Sequence, residues 1–271
     1  MDRCPNGSGS TPVPAIPRVR LGAVEIMAIS ESEVADHVSE AWKRNSGGSI
    51  LTANVDIVRA ATRDPDLAAL VADADLVVAD GMPVVWAARL AGRPVRGRVT
   101  GASLVFTLSE RAARDGRSIF LLGGDPGVPE TAGRMLAERY PSLRVAGAHA
   151  PPYGFDTTTE GMREAVDRVA AAAPDLVFVG LGFPKQERAI AELRSRLPRA
   201  WHLGCGAGIP MAAQQFHRAP EWVQRIGGEW LYRLWLEPRR LAGRYLRRDL
   251  PFAIKLLSGA AWRRLPLSRH L

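Results

Sequence analysis

Four short, mostly apolar runs, the first of them (76–79) unbroken, each end at glycine: 76–79 before Asp80-Gly81, 118–122 before Gly123-Gly124, 176–179 before Gly180-Leu181-Gly182, and 200–203 before Gly204-Cys205-Gly206. An unbroken apolar run fits a strand buried on both faces, which occurs in parallel sheets covered by helices. Helix-period segments separate the runs, at 55–63, 65–72, 82–91, 102–115, 128–140, 159–173 and 186–196. An earlier one, 30–44, has Ser30 or Ser32 as N-cap and Val34, Val38, Ala41 and Trp42 as its apolar stripe. Residues 19–29, 49–52 and 144–148 read as further strands. Strands alternating with helices predict an α/β fold: a Rossmann-like parallel sheet with helices on both faces and right-handed crossovers.

The rhythm divides the chain. Residues 1–17 are rich in Pro, Gly and Ser and read as a flexible tail. Residues 18–216 carry the α/β core, and 217–271 a helical appendage, with helices expected over 219–237, 238–249 and 251–262. Charge marks the same boundary. The net charge is +8, and 217–271 holds 12 Lys+Arg against 4 Asp+Glu, so the remainder, with 24 of each, is neutral. Arg outnumbers Lys 33 to 3, so a single Arg says little and only its clustering is informative. Trp222, Trp230, Trp235 and Trp262 lie in the appendage too.

Several classes are excluded. With 46% hydrophobic residues the chain can bury a core and is not a disordered polymer. Cys4 and Cys205 do not make a disulfide framework, so a reducing compartment is the expectation. There is no apolar signal-peptide region near Met1 and no run of the ~20 apolar residues that span a bilayer. The expected location is cytoplasmic, or peripheral to a membrane from that side. No nucleic-acid motif accompanies the basic charge.

Ligands of an open parallel sheet sit beyond the carboxyl ends of its strands. The candidates there are Thr52, Asn54, Asp80, Gly81, Gly123, Gly124, the stretch 182–187 with Lys185, Gln186 and Glu187, and 204–208. Asp80 fits a general base, or an N-cap for the helix at Met82. Gly123-Gly124-Asp125-Pro126-Gly127 fits a phosphate site on helix amides, or plain turn glycines. Lys185, Gln186 and Glu187 fit a sugar or phosphate contact, or a solvated helix start. About twenty residues beyond the glycines no acid stands ready for a ribose, which argues against a nicotinamide dehydrogenase. Asp64-Pro65-Asp66 and Asp73-Ala74-Asp75 match D-x-D, but both lie at helix ends rather than after a strand, and no spacing suggests zinc. Trp222, Ile226, Trp230 and Leu234 form a stripe, and Arg240, Arg244 and Arg247 or Arg248 a basic row suited to anionic lipid or to a diphosphate.

Read together and in order, Thr52-Ala53-Asn54, Ala79-Asp80-Gly81-Met82-Pro83-Val84-Val85-Trp86, Arg98-Val99-Thr100-Gly101, Leu121-Leu122-Gly123-Gly124, Gly180-Leu181-Gly182-Phe183-Pro184-Lys185-Gln186-Glu187 and Arg218-Ala219-Pro220-Glu221-Trp222 resemble the WecG/TagA/CpsF family of bacterial glycosyltransferases. Glu229-Trp230-Leu231-Tyr232-Arg233-Leu234 and Glu237-Pro238-Arg239 complete the set, and the likeness runs from Val19 to Phe252. The resemblance implies transfer of a hexose from a UDP-sugar donor to a polyprenyl-diphosphate-linked acceptor, for cell-surface polysaccharide. It implies inversion, no cofactor and no essential metal. By matching position, Asp80 takes the role of general base, Thr52, Asn54, Arg98 and Gln186 those of pocket residues, and Arg233, Arg240 and Arg244 those of basic residues of an appendage that closes over the site at an anionic membrane surface. It implies self-association as a further possibility.

One stretch departs from the pattern. The family reads Gly-Val-Gly-Gly/Ala-x-Phe-Asp-Phe where this chain reads Gly204-Cys205-Gly206-Ala207-Gly208-Ile209-Pro210-Met211, so the family's Asp falls on Pro210. The alternatives are a non-catalytic homologue that binds UDP-sugar or lipid, and, further off, a Rossmann-like oxidoreductase.

Overall fold

The computed structural model describes residues 16–215, 232, 243 and 249–262. The strands are β1 (Arg18–Leu21), β2 (Val24–Met27), β3 (Gly48–Ala53), β4 (Leu76–Ala79), β5 (Ser118–Gly123), β6 (Arg144–His149), β7 (Leu176–Gly180) and β8 (Trp201–Gly204). The helices are α1 (Glu31–Lys43), α2 (Val55–Arg63), α3 (Pro65–Ala72), α4 (Met82–Leu90), α5 (Gly101–Arg114), α6 (Val128–Arg139), α7 (Thr159–Ala172), α8 (Lys185–Arg196), α9 (Gly208–Ala212) and α10 (Leu250–Trp262).

Six strands form one parallel sheet in the order β4-β3-β8-β7-β5-β6. The expected Rossmann-like architecture is therefore present. Every residue of β3, β4, β5 and β8 is buried: β4 is an unbroken apolar run, and the polar Ser49, Thr52, Ser118 and His202 of the other three are buried with their apolar neighbours. Alternation divides the side chains between two faces. Ile50, Val78, Leu121, Phe178 and Leu203 pack with α1, α5, α6 and α9 on one face. On the other, Leu51, Val77 and Ala79 meet α2, α4, α10 and the β1–β2 hairpin, and Phe120, Leu122, Val177 and Val179 meet α7 and α8. The connection after β3 runs to one edge and that after β5 to the other. Winding thus reverses mid-sheet, where such folds open a crevice beyond the carboxyl ends.

Local chemistry sets the element ends. Ser30, not Ser32, caps α1 in a capping box: its hydroxyl accepts from the Glu33 N–H, and the Glu33 carboxylate accepts from the Ser30 N–H at 2.8 Å. The single strand expected over 19–29 is a hairpin instead, with Leu21 opposite Val24. The two-residue turn at Gly22 (φ 60°) shifts the inward alternation by one position, from Val19 and Leu21 to Val24 and Ile26, so both arms of the hairpin face the core. Helix α9 was not anticipated because Gly208 and Pro210 fall inside it. Pro210 sits in its first turn, where a missing N–H costs no intrahelical bond.

Gly123 closes β5 at φ 114°, and a Cβ there would lie 2.6 Å from the Gly180 carbonyl oxygen of β7. Gly123→Ala is expected to destabilise the chain by about 2–3 kcal/mol, from left-handed strain plus backbone overlap. A fall in the urea midpoint at constant slope checks this; an unchanged midpoint would refute it.

Of the appendage, the described part is α10. It packs Ala253, Leu256 and Ala260 into the core shared with α4 and α2. Asp249, just before it, pairs with Arg59 of α2 at 3.7 Å. No helix among the described residues is long and apolar enough to cross a membrane. The Trp222, Ile226, Trp230 and Leu234 stripe and the Arg240, Arg244, Arg247 and Arg248 row lie outside the described residues.

Candidate active site

Strand β4 delivers Asp80 at its carboxyl end. The Asp80 N–H donates to the Ala53 carbonyl at 2.9 Å, extending the β3–β4 pairing by one residue. Gly81 (φ 97°) then turns the chain into α4. Gly81 itself is the N-cap, and no side chain caps α4, so the capping alternative for Asp80 does not hold. The carboxylate is half-buried at the rim of the crevice.

A neighbouring segment meets this strand end. The Val99 N–H donates to the Ala79 carbonyl at 2.8 Å, which brings the half-buried Arg98 to the end of β4. Thr100 caps α5 through the Ser103 N–H at 3.0 Å, fixing that segment. Thr52 is buried in β3 opposite Val78, on the sheet face that α5 covers. Asn54, exposed one position past β3, caps α2: its Oδ1 accepts from the Ile57 N–H at 3.0 Å. Thr52, Asn54, Asp80, Gly81 and Arg98 are therefore gathered at the ends of two adjacent strands.

Gly123 and Gly124 are not part of that cluster. They end β5, four strand spacings or about 19 Å from Asp80. One sugar ring cannot touch both; only an extended ligand reaches from one to the other. Gly127, in the left-handed conformation, starts α6 without a side-chain cap, and α8 starts at Pro184 without one as well. Three helices that begin at strand ends, α4, α6 and α8, thus present uncapped amides, which favour anions.

Gln186 and Glu187 lie between these groups, and neither is a solvated helix start: each is 5% exposed. The Gln186 Oε1 accepts from the Gly182 N–H at 3.2 Å and the Gly206 N–H at 3.1 Å, and its Nε2 donates to Glu187 Oε1 at 2.8 Å. Burial pushes the Glu187 carboxyl up to about 7. Lys185 instead turns outward to Asp156, at 2.8 Å, whose carboxyl that bond holds low.

Other titratable groups serve the framework. Burial pushes the Cys205 thiol up to about 12, so it is no nucleophile. His202 in β8 is buried and held down to about 4, mainly by desolvation, and its Nδ1–H donates to the Gly48 carbonyl at 3.2 Å. Three of the four D-x-D acids are structurally engaged. Asp64 caps α3. Asp73 and Asp75 pair with Arg194 at 2.6 and 3.1 Å, and Asp75 also accepts from the Ser49 N–H at 2.8 Å. Those contacts lie at the amino ends of the strands, away from the crevice. Arg233, Arg240 and Arg244 lie outside the described residues.

Comparison with known proteins agrees with this geometry. Residues 19–266 match the model of the glycosyl transferase WecG/TagA/CpsF family. Similar curated proteins include the N-acetylglucosaminyldiphosphoundecaprenol N-acetyl-beta-D-mannosaminyltransferase of Bacillus spizizenii, 32% identical over 197 residues, covering 73% of this chain and 74% of that one. Proteins of the same name from Bacillus subtilis strain 168 (32% identical; 72% of this chain, 73% of that one) and Staphylococcus aureus strain NCTC 8325 (32% identical; 71% and 73%) are similar too. With the motifs gathered at one end of a parallel sheet, and the family match spanning that sheet and α10, the chain belongs to the WecG/TagA/CpsF family and is a glycosyltransferase.

Proposed function

We propose that the chain moves a hexose, of N-acetylmannosamine or glucose type, from a UDP-sugar to a polyprenyl-diphosphate-linked sugar, with inversion and without an essential metal, in cell-surface polysaccharide synthesis. The observation that carries the chemistry is the place of Asp80: a carboxylate at the crevice rim, past a buried strand, not engaged as a helix cap. The acceptor is argued from the relatives, whose name specifies an N-acetylglucosaminyldiphosphoundecaprenol substrate.

The acceptor hydroxyl oxygen attacks the anomeric carbon in line with the bond to the donor phosphate. Its proton passes to Asp80. The glycosidic C–O bond to phosphate breaks, and UDP leaves with the electron pair. Developing charge on UDP needs cations or aligned dipoles. Arg98 beside Asp80 and the uncapped amides of α4, α6 and α8 are suited to that task, with Arg233, Arg240 and Arg244 of the appendage added by resemblance. Asp64 is taken up in capping and Asp73 and Asp75 in ion pairing, so neither D-x-D pair offers both carboxylates to a nucleotide-bound metal. UDP release from a panel of UDP-hexoses with a lipid-diphosphate acceptor, with and without EDTA, tests the assignment. Turnover that survives EDTA is expected, and loss restored by a divalent ion would overturn metal independence.

The same reading places the enzyme on the inner face of the cell membrane. Helix α10 leaves Leu250, Ile254 and Trp262 exposed, and Trp86 and Leu90 of the adjoining α4 are exposed too. In the sequence Arg247-Arg248 precede α10 and Arg263-Arg264 follow it. Apolar side chains flanked by arginines suit an anionic bilayer surface. The double variant Ile254→Glu, Trp262→Glu is expected to lower binding to anionic vesicles at low salt by about tenfold or more without loss of folding. Vesicle binding equal to wild type would remove the membrane assignment.

A further inference from the structure

Gln186 and Glu187 stand at the first turn of α8, and their side chains point into the protein. Two loop amides converge on one atom. Gly182 belongs to the loop after β7 and Gly206 to the loop after β8, and both N–H groups donate to Gln186 Oε1. Both glycines are left-handed, at φ 77° and 51°, so each loop turns sharply where its amide is held.

We propose that Gln186 and Glu187 form a latch that sets the separation of the β7–α8 and β8–α9 loops across the middle of the crevice, Glu187 acting through Gln186 as a positioning residue. The proposal rests on the reading of those strand ends as the transferase site.

Hydrogen-bond polarity fixes which way Gln186 faces. A carboxamide has an acceptor end and a donor end. Turned over, Gln186 would set its NH2 against two N–H groups, donor facing donor with no acceptor between them. Glu187 prevents this by offering Oε1 to Nε2 at 2.8 Å. Packing leaves no slack. A Cβ on Gly204 would lie 2.7 Å from Gln186 Nε2 and 3.2 Å from Glu187 Oε1, so the β8 backbone rests directly on the pair. Glu187 Oε2 is buried and makes no hydrogen bond among the described residues. Glu187 lines a cavity of about 10 Å³ with Ser49 of β3 and Asp73 at the end of α3. Asp75, Arg194 of α8 and His202 of β8 are further charged or titratable groups toward the amino ends of these strands. The carboxyl titrates near neutrality, but a carboxylic acid protonated at Oε2 and a carboxylate both accept at Oε1, so the latch holds on either side of pH 7.

The test is hydrogen exchange at the Gly182 and Gly206 amides in the full chain, read beside turnover. In wild type one bond acceptor guards both, so their protection factors agree within about threefold. Glu187→Leu removes the acceptor for Nε2 and is expected to speed exchange at both amides by about tenfold or more, with the amides of β7 unchanged, and to lower kcat by about tenfold. Glu187→Gln restores an acceptor oxygen and keeps both amides protected. Asp80→Asn leaves exchange at wild-type values while turnover falls. Unequal wild-type protection, a folded Glu187→Leu chain with unchanged exchange, or equal loss in Glu187→Gln and Glu187→Leu would each overturn the latch. The wild-type measurement holds even where a variant fails to fold. Absence of UDP release from wild type would instead strike the transferase reading, leaving the exchange result to stand or fall alone.

Discussion

Asp80→Asn lowers UDP release by two to four orders of magnitude, the range typical of removing a positioned general base, while UDP affinity stays within about threefold. Asparagine keeps the size and one oxygen of the side chain but cannot take the acceptor proton. Folding should be preserved because the local backbone is set by other groups. The Asp80 N–H is bound to the Ala53 carbonyl, Gly81 makes the turn, and α4 draws no cap from any side chain. A loss in kcat with KM little changed is the signature of an interaction made in the transition state. Isothermal titration of UDP and steady-state kinetics on the two proteins separate binding from turnover. Equal rates would take the base assignment away from Asp80.

The second large effect is on stability and has a sign fixed by linkage. Glu187 loses its proton near 4.5 in the unfolded chain but only at about 7 in the folded one. Between those values the folded state binds the extra proton, so Glu187 makes stability fall as pH rises, by about 3 kcal/mol in all. His202 does the opposite. It is protonated below 6.5 when unfolded but only below about 4 when folded, so its contribution is lost as pH falls through that window. From about 4.5 to 6.5 the two slopes oppose each other. Glu187→Gln removes one and exposes the other. Its stability relative to wild type is expected to climb by about 3 kcal/mol between pH 4.5 and 7 and to stay level above that. Urea unfolding of both proteins across the range measures this, and a difference independent of pH would contradict it.

Much of the fold was legible because burial on both faces writes itself as unbroken apolar runs. The strand expected at 76–79 is β4 residue for residue, and the helices expected at 55–63 and 65–72 are α2 and α3. The hairpin at Gly22 and the short α9 were not, since one turns on only two residues with a one-position shift of its alternation and the other starts on glycine and proline. At the site, Asp80 could be singled out from its place after an apolar run, but its two readings differ only in backbone geometry. The position of the cap, on Gly81, had to be seen. Gln186 was legible as polar and suitably placed. Its partners were not, because Gly206 lies twenty residues further on and meets it only when β7 and β8 are side by side. Gly123 and Gly124 share the strand-end signal with Asp80, yet strand order, which no local pattern encodes, sets them on the far side of the crevice.

The central claim is sugar transfer from a nucleotide donor to a lipid-linked acceptor. Mass spectrometry of a polyprenyl-diphosphate-linked N-acetylglucosamine acceptor, after incubation with the full chain and UDP-N-acetylmannosamine or UDP-glucose, tests it most directly. One N-acetylhexosamine residue from UDP-N-acetylmannosamine, or one hexose residue from UDP-glucose, is expected on the lipid, matched by UDP release that depends on both substrates. An acceptor left unchanged with every UDP-hexose, despite measurable UDP binding, would contradict it.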